Sequence, residues 1–275
     1  MTVTEIGNAA LEVRIAPSHQ RLDLQAYTSI LSEVRKTLEE VDRIAIPERT
    51  PRVHWAIKDV SMAKEVCMLL VPKTIPGKRA VSSLSVPTEG LVSGVRSLSR
   101  TPEIPAYFSD ATVNRVGQIG KHVESGDVDH VTVSSIQGSG EPAIVNRETT
   151  LNAARAVDPV RESFSSIVGI LEILQHRSGR PPRAILRIEK SNHAVRITAR
   201  EDQSPILRES WGERVLAEGL LRRNSSGQPV SLQLEGIEGA PQRSSAISPW
   251  ELLGIDPDYT EGLSTEEYIK RVRRD

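Results

Sequence analysis

Apolar residues two positions apart dominate 163–241, and they mark one compact β-rich module. Its runs are 167–174, 184–189, 194–200, 214–221 and 230–235, with a short helix at 205–211 between the third and fourth. Ala184, Leu186 and Ile188 share one face of the second run and Arg183, Ile185, Arg187 and Glu189 the other; in the third, Val195, Ile197 and Ala199 oppose Arg196, Thr198 and Arg200. The first run is apolar on both faces and contains Gly169, which predicts a bulge or bend. Ser204-Pro205 reads as a helix start, with Ser as cap and Pro at the first helical position. Asn224-Ser-Ser-Gly227 reads as a turn.

Ahead of this module the pattern predicts a strand at 11–15, then a helix from 24 to about 43 capped by Asp23. Leu24, Tyr27, Leu31, Val34, Leu38 and Val41 recur at helical spacing. Strands follow at 52–57 and 66–71, with Val53, Trp55 and Ile57 sharing a face of the first. The stretch 72–87 carries three prolines and reads as a mobile loop. Weakly helical sequence runs over 88–98, and Ser109 or Asp110 caps a further helix. A hairpin at 128–146 turns around Gly138-Ser-Gly140, and a last helix at 149–157 precedes Asp158-Pro159. The expected fold class is α+β: a domain over 1–157 with a mostly antiparallel sheet, a five-stranded β-barrel over 163–241, and a linker with a short helical tail over 242–275.

Composition narrows the chemistry. With 275 residues the chain has room for two domains, and its net charge of −1 supplies no global drive toward a polyanion. The single cysteine, Cys67, fits a reducing cytosol and lies in an apolar run, where it reads as a small buried hydrophobe. No apolar stretch approaches a membrane span, and the first residues carry no secretory pattern, so a cytoplasmic protein is expected. His19, His54, His122 and His130 show no metal-ligand spacing, and Asp127-Val-Asp129-His130 reads as a solvated turn. Gly138-Ser-Gly140 lacks the Lys-Ser/Thr of a phosphate loop, and Ser93 lacks the flanks of a nucleophile elbow. Neither a metal, a cofactor nor a catalytic residue is expected.

The order β-β-β-α-β-β over 163–241 resembles OB-fold domains of the nucleic-acid-binding kind. That resemblance implies ligand binding on the outer face of the second and third strands and on the flanking loops. Arg183, Arg187, Arg196 and Arg200 would occupy the face, Arg177 and Arg180 one loop, and Arg222 and Arg223 the other. Against this, the module holds eleven Lys/Arg and nine Asp/Glu, so it is only slightly basic. Its two aromatics, Phe164 and Trp211, fall off the expected face, which therefore lacks a stacking platform.

Two capping boxes, Ser248-Pro-Trp-Glu251 and Ser264-Thr-Glu-Glu267, punctuate the tail. The second opens a helix too short to stand alone. Trp250, Leu253, Tyr259, Tyr268 and Ile269 are the anchors such a segment buries against its own chain or a partner. From Gly254 onward the sequence resembles the toxin-wrapping tails of type II antitoxins, particularly those paired with PIN-domain ribonucleases. The resemblance implies that Lys270, Arg271, Arg273 and Arg274 approach an acidic metal site on a toxin. It also departs from that family, whose members are usually short. The functional expectation is a non-enzymatic regulatory or neutralising protein that binds a partner protein through this tail. The alternative is an OB-fold binder of RNA or DNA that uses the arginine-lined face.

Overall fold

The structure, a computed structural model, describes residues 9–19, 22–46, 50–73, 79–136, 141–175, 181–240, 263 and 270–271. The chain divides into two compact units, Met1–Ala240 and Pro241–Asp275. In the second, Leu263 is half-buried and Lys270 and Arg271 are helical and exposed. Among the tail anchors, Trp250, Leu253, Tyr259, Tyr268 and Ile269 lie outside the described residues, as do Arg273 and Arg274.

The first unit is α+β and contains two mostly antiparallel sheets. Strands β1 (Leu11–Pro17), β2 (His54–Met62), β3 (Val66–Lys73), β4 (Val128–Ser135) and β5 (Ala143–Val145) pair antiparallel in the order β2-β3-β1-β4-β5. Alternation decides which face is covered: Leu11, Val13 and Ile15 of β1 and Val66, Met68 and Leu70 of β3 are buried. Against that face pack α1 (Leu24–Ala45), α2 (Val86–Leu98), α3 (Asp110–Glu124) and α4 (Arg147–Val157), contributing Ile30, Val34, Leu91, Val95, Val113 and Ala153 to one core. The caps are the ones helix chemistry favours. Asp23 accepts from the N–H groups of Gln25 and Ala26, Ser109 from Thr112, and Asn146 from Thr149.

Two expectations about this sheet change. The strand expected at 52–57 begins at His54 and runs to Met62; β2 is an edge strand whose residues from Ile57 onward are all exposed, so they carry no alternation beyond a bulge between Ile57 and Asp59. The stretch expected to be a mobile loop is anchored from Arg79 onward. The Arg79 side chain is 0% exposed and pairs at 2.6 Å with that of Asp42 of α1, which is 1% exposed. The same guanidinium donates to Ser83 O at 2.8 Å and Ser83 Oγ at 3.1 Å.

Strands β6 (Arg161–Gln175), β7 (Arg183–Ile188), β8 (Ala194–Thr198), β9 (Arg214–Arg223) and β10 (Pro229–Gly239) form the second sheet. Each has two hydrogen-bonded neighbours, in the ring order β10-β8-β7-β6-β9, and only β8 and β10 run parallel. The ring encloses Leu171, Leu186, Ile197, Val215, Ala217, Leu232 and Leu234, all buried. Helix α5 (Ser204–Glu209) lies between the third and fourth of these strands and contributes Leu207 to that core. Ser204 is its first helical residue and makes no side-chain cap bond, since a short 3-10 turn, Glu201–Gln203, leads into it. The bulge of β6 falls between Leu171 and Ile173, not at Gly169. Gly169 is needed for another reason: a Cβ there would sit 2.4 Å from the Arg187 carbonyl oxygen on β7.

Backbone and side-chain hydrogen bonds stitch the ring to the helical layer. The N–H of Ala194 donates to Phe108 O and that of Tyr107 to Asn192 O, each at 2.8 Å. Asn224 Nδ2 donates to Ala156 O at 2.9 Å, and the N–H of Ile104 donates to Gln228 Oε1 at 2.7 Å.

Candidate nucleic-acid interface

The register of the ring fixes which side chains share its outer surface, because residues directly opposite in paired strands point to the same side. One cross-strand row runs Phe164, Leu220, Gln233, Thr198, Arg183. Beside it runs Glu162, Arg222, Ser231, Arg196, Ile185. Over β8, β10 and β9 these rows floor an open groove of about 700 Å³, to which Arg196, Arg200 and Arg222 bring charge and Thr198, Ser231 and Gln233 bring neutral polar groups.

The expected arginines do not act as one set. Arg196, Arg200 and Arg222 line the groove, and Arg183 stands at the end of the first row, exposed and with no side-chain hydrogen bond or ion pair among the described residues. Arg187 does not join them. It donates to Glu172 Oε1 from Nε at 2.9 Å and from Nη2 at 2.7 Å, and to Asn192 Oδ1 at 3.0 Å. The β6 bulge beside Glu172 holds that carboxylate against Arg187. Arg223 is turned to Gly227 O at 3.0 Å. Arg177 and Arg180 lie outside the described residues.

Each groove arginine has an acidic neighbour. Arg196 Nη2 meets Asp110 Oδ2 at 2.8 Å, Arg200 Nη1 meets Glu235 at 2.9 Å, and Arg222 Nε meets Glu162 at 3.4 Å. The hydrogen bond Arg200 donates to Glu235 is the main reason its pKa rises above the ordinary value, with Asp202 adding to it. The Arg200 and Arg222 pairs are about half exposed on both sides, and such solvent-screened pairs contribute little. A phosphate can therefore take over those guanidiniums at small loss. Asp110 differs: it is 4% exposed, and its partner Arg196 is held by a carboxylate that water scarcely reaches.

Phe164 stands on β6, off the outer face of β7 and β8. It is 67% exposed and stands directly opposite Leu220 on the outer surface, beside the groove rather than away from it. The signal that finds it is strand register, which places β6 next to β9 and so carries Phe164 to the groove's edge. The other aromatic of the ring, Trp211, donates from Nε1 to Glu172 O at 3.2 Å and lies elsewhere.

Other chemistry resolves into structural roles. Cys67 donates to Glu12 at 3.3 Å, and burial is the first of the influences that push its thiol pKa up. Asp127 accepts from Ser125 at 2.7 Å and contacts His122 at 3.1 Å; these two contacts, Ser125 first, hold its carboxyl below the usual range. Among the described residues no three His, Cys, Asp or Glu side chains gather as metal ligands, and no helix is long and apolar enough to cross a membrane.

No family model matches the chain, and no curated protein matches it. Among solved structures it is similar to apo TiaS, a tRNAIle2 agmatidine synthetase, at 9% identity over 84% of this chain and 81% of that one. The TM-score is 0.22, and so slight a likeness carries no argument about fold or activity.

Proposed function

We propose that residues 161–239 are an OB-type barrel and that the protein is a non-enzymatic nucleic-acid binder using the groove over β8, β10 and β9. The observation that carries this reading is the pair of cross-strand rows. They align Arg222, Arg196 and Arg183 with neutral hydrogen-bonding groups, one row ending on the exposed Phe164 and the other on Glu162. Guanidiniums along a groove track a phosphate backbone, and an aromatic at its edge offers a face on which a base stacks. Neighbouring carboxylates keep the affinity modest, so binding is salt-sensitive and of low sequence preference. The test is anisotropy of an unstructured labelled oligonucleotide across ~50–200 mM salt. Reversing Arg200 and Arg222 together to Glu should weaken binding and flatten the salt slope by about 1.4, since each single-strand phosphate that a cation neutralises contributes ~0.7 to it. An unchanged slope in a folded double variant refutes the assignment.

A second reading concerns the tail and is favoured by the separation of Pro241–Asp275 as its own unit. Here the segment is a partner-binding element of antitoxin type, whose basic end includes the exposed Lys270 and Arg271. Deleting 241–275 should leave the melting temperature of the first unit unchanged and abolish capture of a ribonuclease partner. A truncation that melts much lower makes the tail structural.

A further inference from the structure

A second, smaller pocket lies where α1, α3 and strands β6–β8 meet, with a volume of about 150 Å³. Pockets that bury whole drug-sized ligands measure ~300–1,000 Å³, so this one admits a single ring or headgroup and leaves the rest of a ligand outside. Three features of its lining decide what that group is.

The first is an orphan acceptor. Asp110 is 4% exposed, and its Oδ2 is taken by Arg196 at 2.8 Å. Its Oδ1 is buried and meets no donor in good hydrogen-bond geometry, the backbone N–H of Ala111 being the nearest group that favours the carboxylate. A buried carboxylate oxygen left unsatisfied is costly, so the site calls for a donor. Burial pushes the Asp110 carboxyl pKa up, opposed first by Arg196 and then by the Ala111 N–H, while Glu40 raises it further and Arg183 lowers it. The pocket's other carboxylate is already occupied: Glu40 accepts from Ser109 Oγ and from Arg115 Nη1. The second feature is a pair of cations with no assigned role. Arg43 of α1 and Arg183 of β7 both line the pocket, both are exposed, and neither side chain makes a hydrogen bond or ion pair among the described residues. The third is an apolar wall from Ile173 and Ile185. Arg196 lines this pocket and the large groove alike, so the two adjoin at that residue.

We infer that this pocket binds the amino-bearing base of a nucleotide, with Asp110 Oδ1 accepting from the exocyclic amine and Arg43 and Arg183 holding the phosphate. Arg196, already fixed by Asp110 Oδ2, presents N–H groups beside that acceptor. With the register fixed by the phosphate, the acceptor–donor edge so formed matches cytosine, with N4–H and N3, or adenine, with N6–H and a ring nitrogen, and sets the O4 of uracil against the carboxylate and its N3–H against Arg196. The aliphatic wall takes the face of the ring. The nucleotide can be free or one unit of a strand lying in the groove. Only in the strand-bound case does the inference rest on the proposed function.

Calorimetric titration of the full chain with CMP, AMP, UMP and cytidine separates these contributions. CMP or AMP should bind at least about tenfold more tightly than UMP, whose carbonyl would face the carboxylate. Cytidine, lacking phosphate, should bind at least about tenfold more weakly than CMP. Arg43→Gln is the diagnostic variant, because Arg43 lies on α1 outside the groove; it should weaken CMP at least about tenfold and leave the melting temperature unchanged. Asp110→Asn, where it folds, should bring the CMP-to-UMP ratio to about one or below. Equal binding of CMP and UMP to the native chain, or CMP binding untouched by Arg43→Gln, overturns the inference. The Arg200→Glu/Arg222→Glu variant separates the two readings. If it retains CMP binding while no oligonucleotide binds the native chain, the pocket holds a free nucleotide and the groove reading fails. If oligonucleotides bind in the groove but mononucleotides show no amine preference, the groove stands and the pocket inference falls.

Discussion

Replacing Arg79 with Met tests the anchor between α1 and the segment that leads into α2. The guanidinium makes its closest contact with Asp42 Oδ1, at 2.6 Å, and both side chains are essentially inaccessible to water. It also donates to Ser83 O, Ser83 Oγ and Pro51 O at 2.8, 3.1 and 3.3 Å. Met fills much of the same volume but takes the guanidinium away from the Asp42 carboxylate, which keeps the Val53 N–H at 3.3 Å. Removing one partner of a buried pair costs about 3–5 kcal/mol. At ~2–4 °C per kcal/mol for a body of this size, the melting temperature should fall by roughly 6–20 °C. Adding Asp42→Asn removes the stranded charge while keeping an oxygen for Val53, so the double variant should be more stable than Arg79→Met by about 1–3 kcal/mol. Thermal and urea melts followed by circular dichroism read both numbers. A single variant within about 2 °C of the native chain refutes the reasoning, because a shift that small corresponds to under ~1 kcal/mol. So does a double variant no better than the single one.

His193 is 3% exposed, with Nδ1 2.6 Å from Ser191 Oγ and Nε2 3.2 Å from Pro229 O, an arrangement the neutral ring satisfies. Burial lowers its pKa, so below about pH 6.5 the unfolded chain binds a proton that the fold resists. Stability should therefore be level above that pH and fall as pH drops toward the folded pKa; a His193→Gln variant as pH-sensitive as the native chain between pH 7.5 and 5.5 would refute this. Gly219 has φ 154° on β9, and a Cβ there would sit 2.0 Å from Gln233 O on β10. Gly219→Ala should cost about 3 kcal/mol or more, whereas Gly212→Ala, with φ 79° but open space around it, should cost about 1–2. Equal urea midpoints for the two variants would contradict the steric account.

Where a residue's neighbours are a few positions away, the sequence reads well. The α1 helix follows from the spacing of Leu31, Val34, Leu38 and Val41 and from the Asp23 cap, and the inward faces of β7, β8 and β10 follow from alternation. Long-range partners are not legible in this way. Arg79 sits among prolines and serines and looks solvated until Asp42, 37 positions earlier, is brought to it. Arg196 looks like an ordinary outward cation until Asp110 is placed beneath it. The first six residues of β6, Arg161 to Ser166, are nearly all exposed and give no apolar signal, so the strand's true start and the position of Phe164 emerge only from pairing with β9. The binding face shifts for the same cause: alternation tells which side chains point outward, but register decides which of them meet.

The parallel ladder between β8 and β10 spans only Ser231–Gln233 on one strand and Arg196–Thr198 on the other, whereas β9 is laddered along nearly all of β10. A ring comes apart at its shortest ladder, and the least protected amides of the ring should be those across this join. In native-state hydrogen exchange they should open well before the β6–β9 ladder does. Both outer rows cross the same join, so a strand lying along them would straddle it and hold its two sides together. Occupancy would then slow exchange at Ser231–Gln233 selectively, as ligand binding to the intact form withdraws population from the opened one. The weakest link of the ring would thus also be its most ligand-responsive one, and protection confined to some other ladder would argue against binding across it.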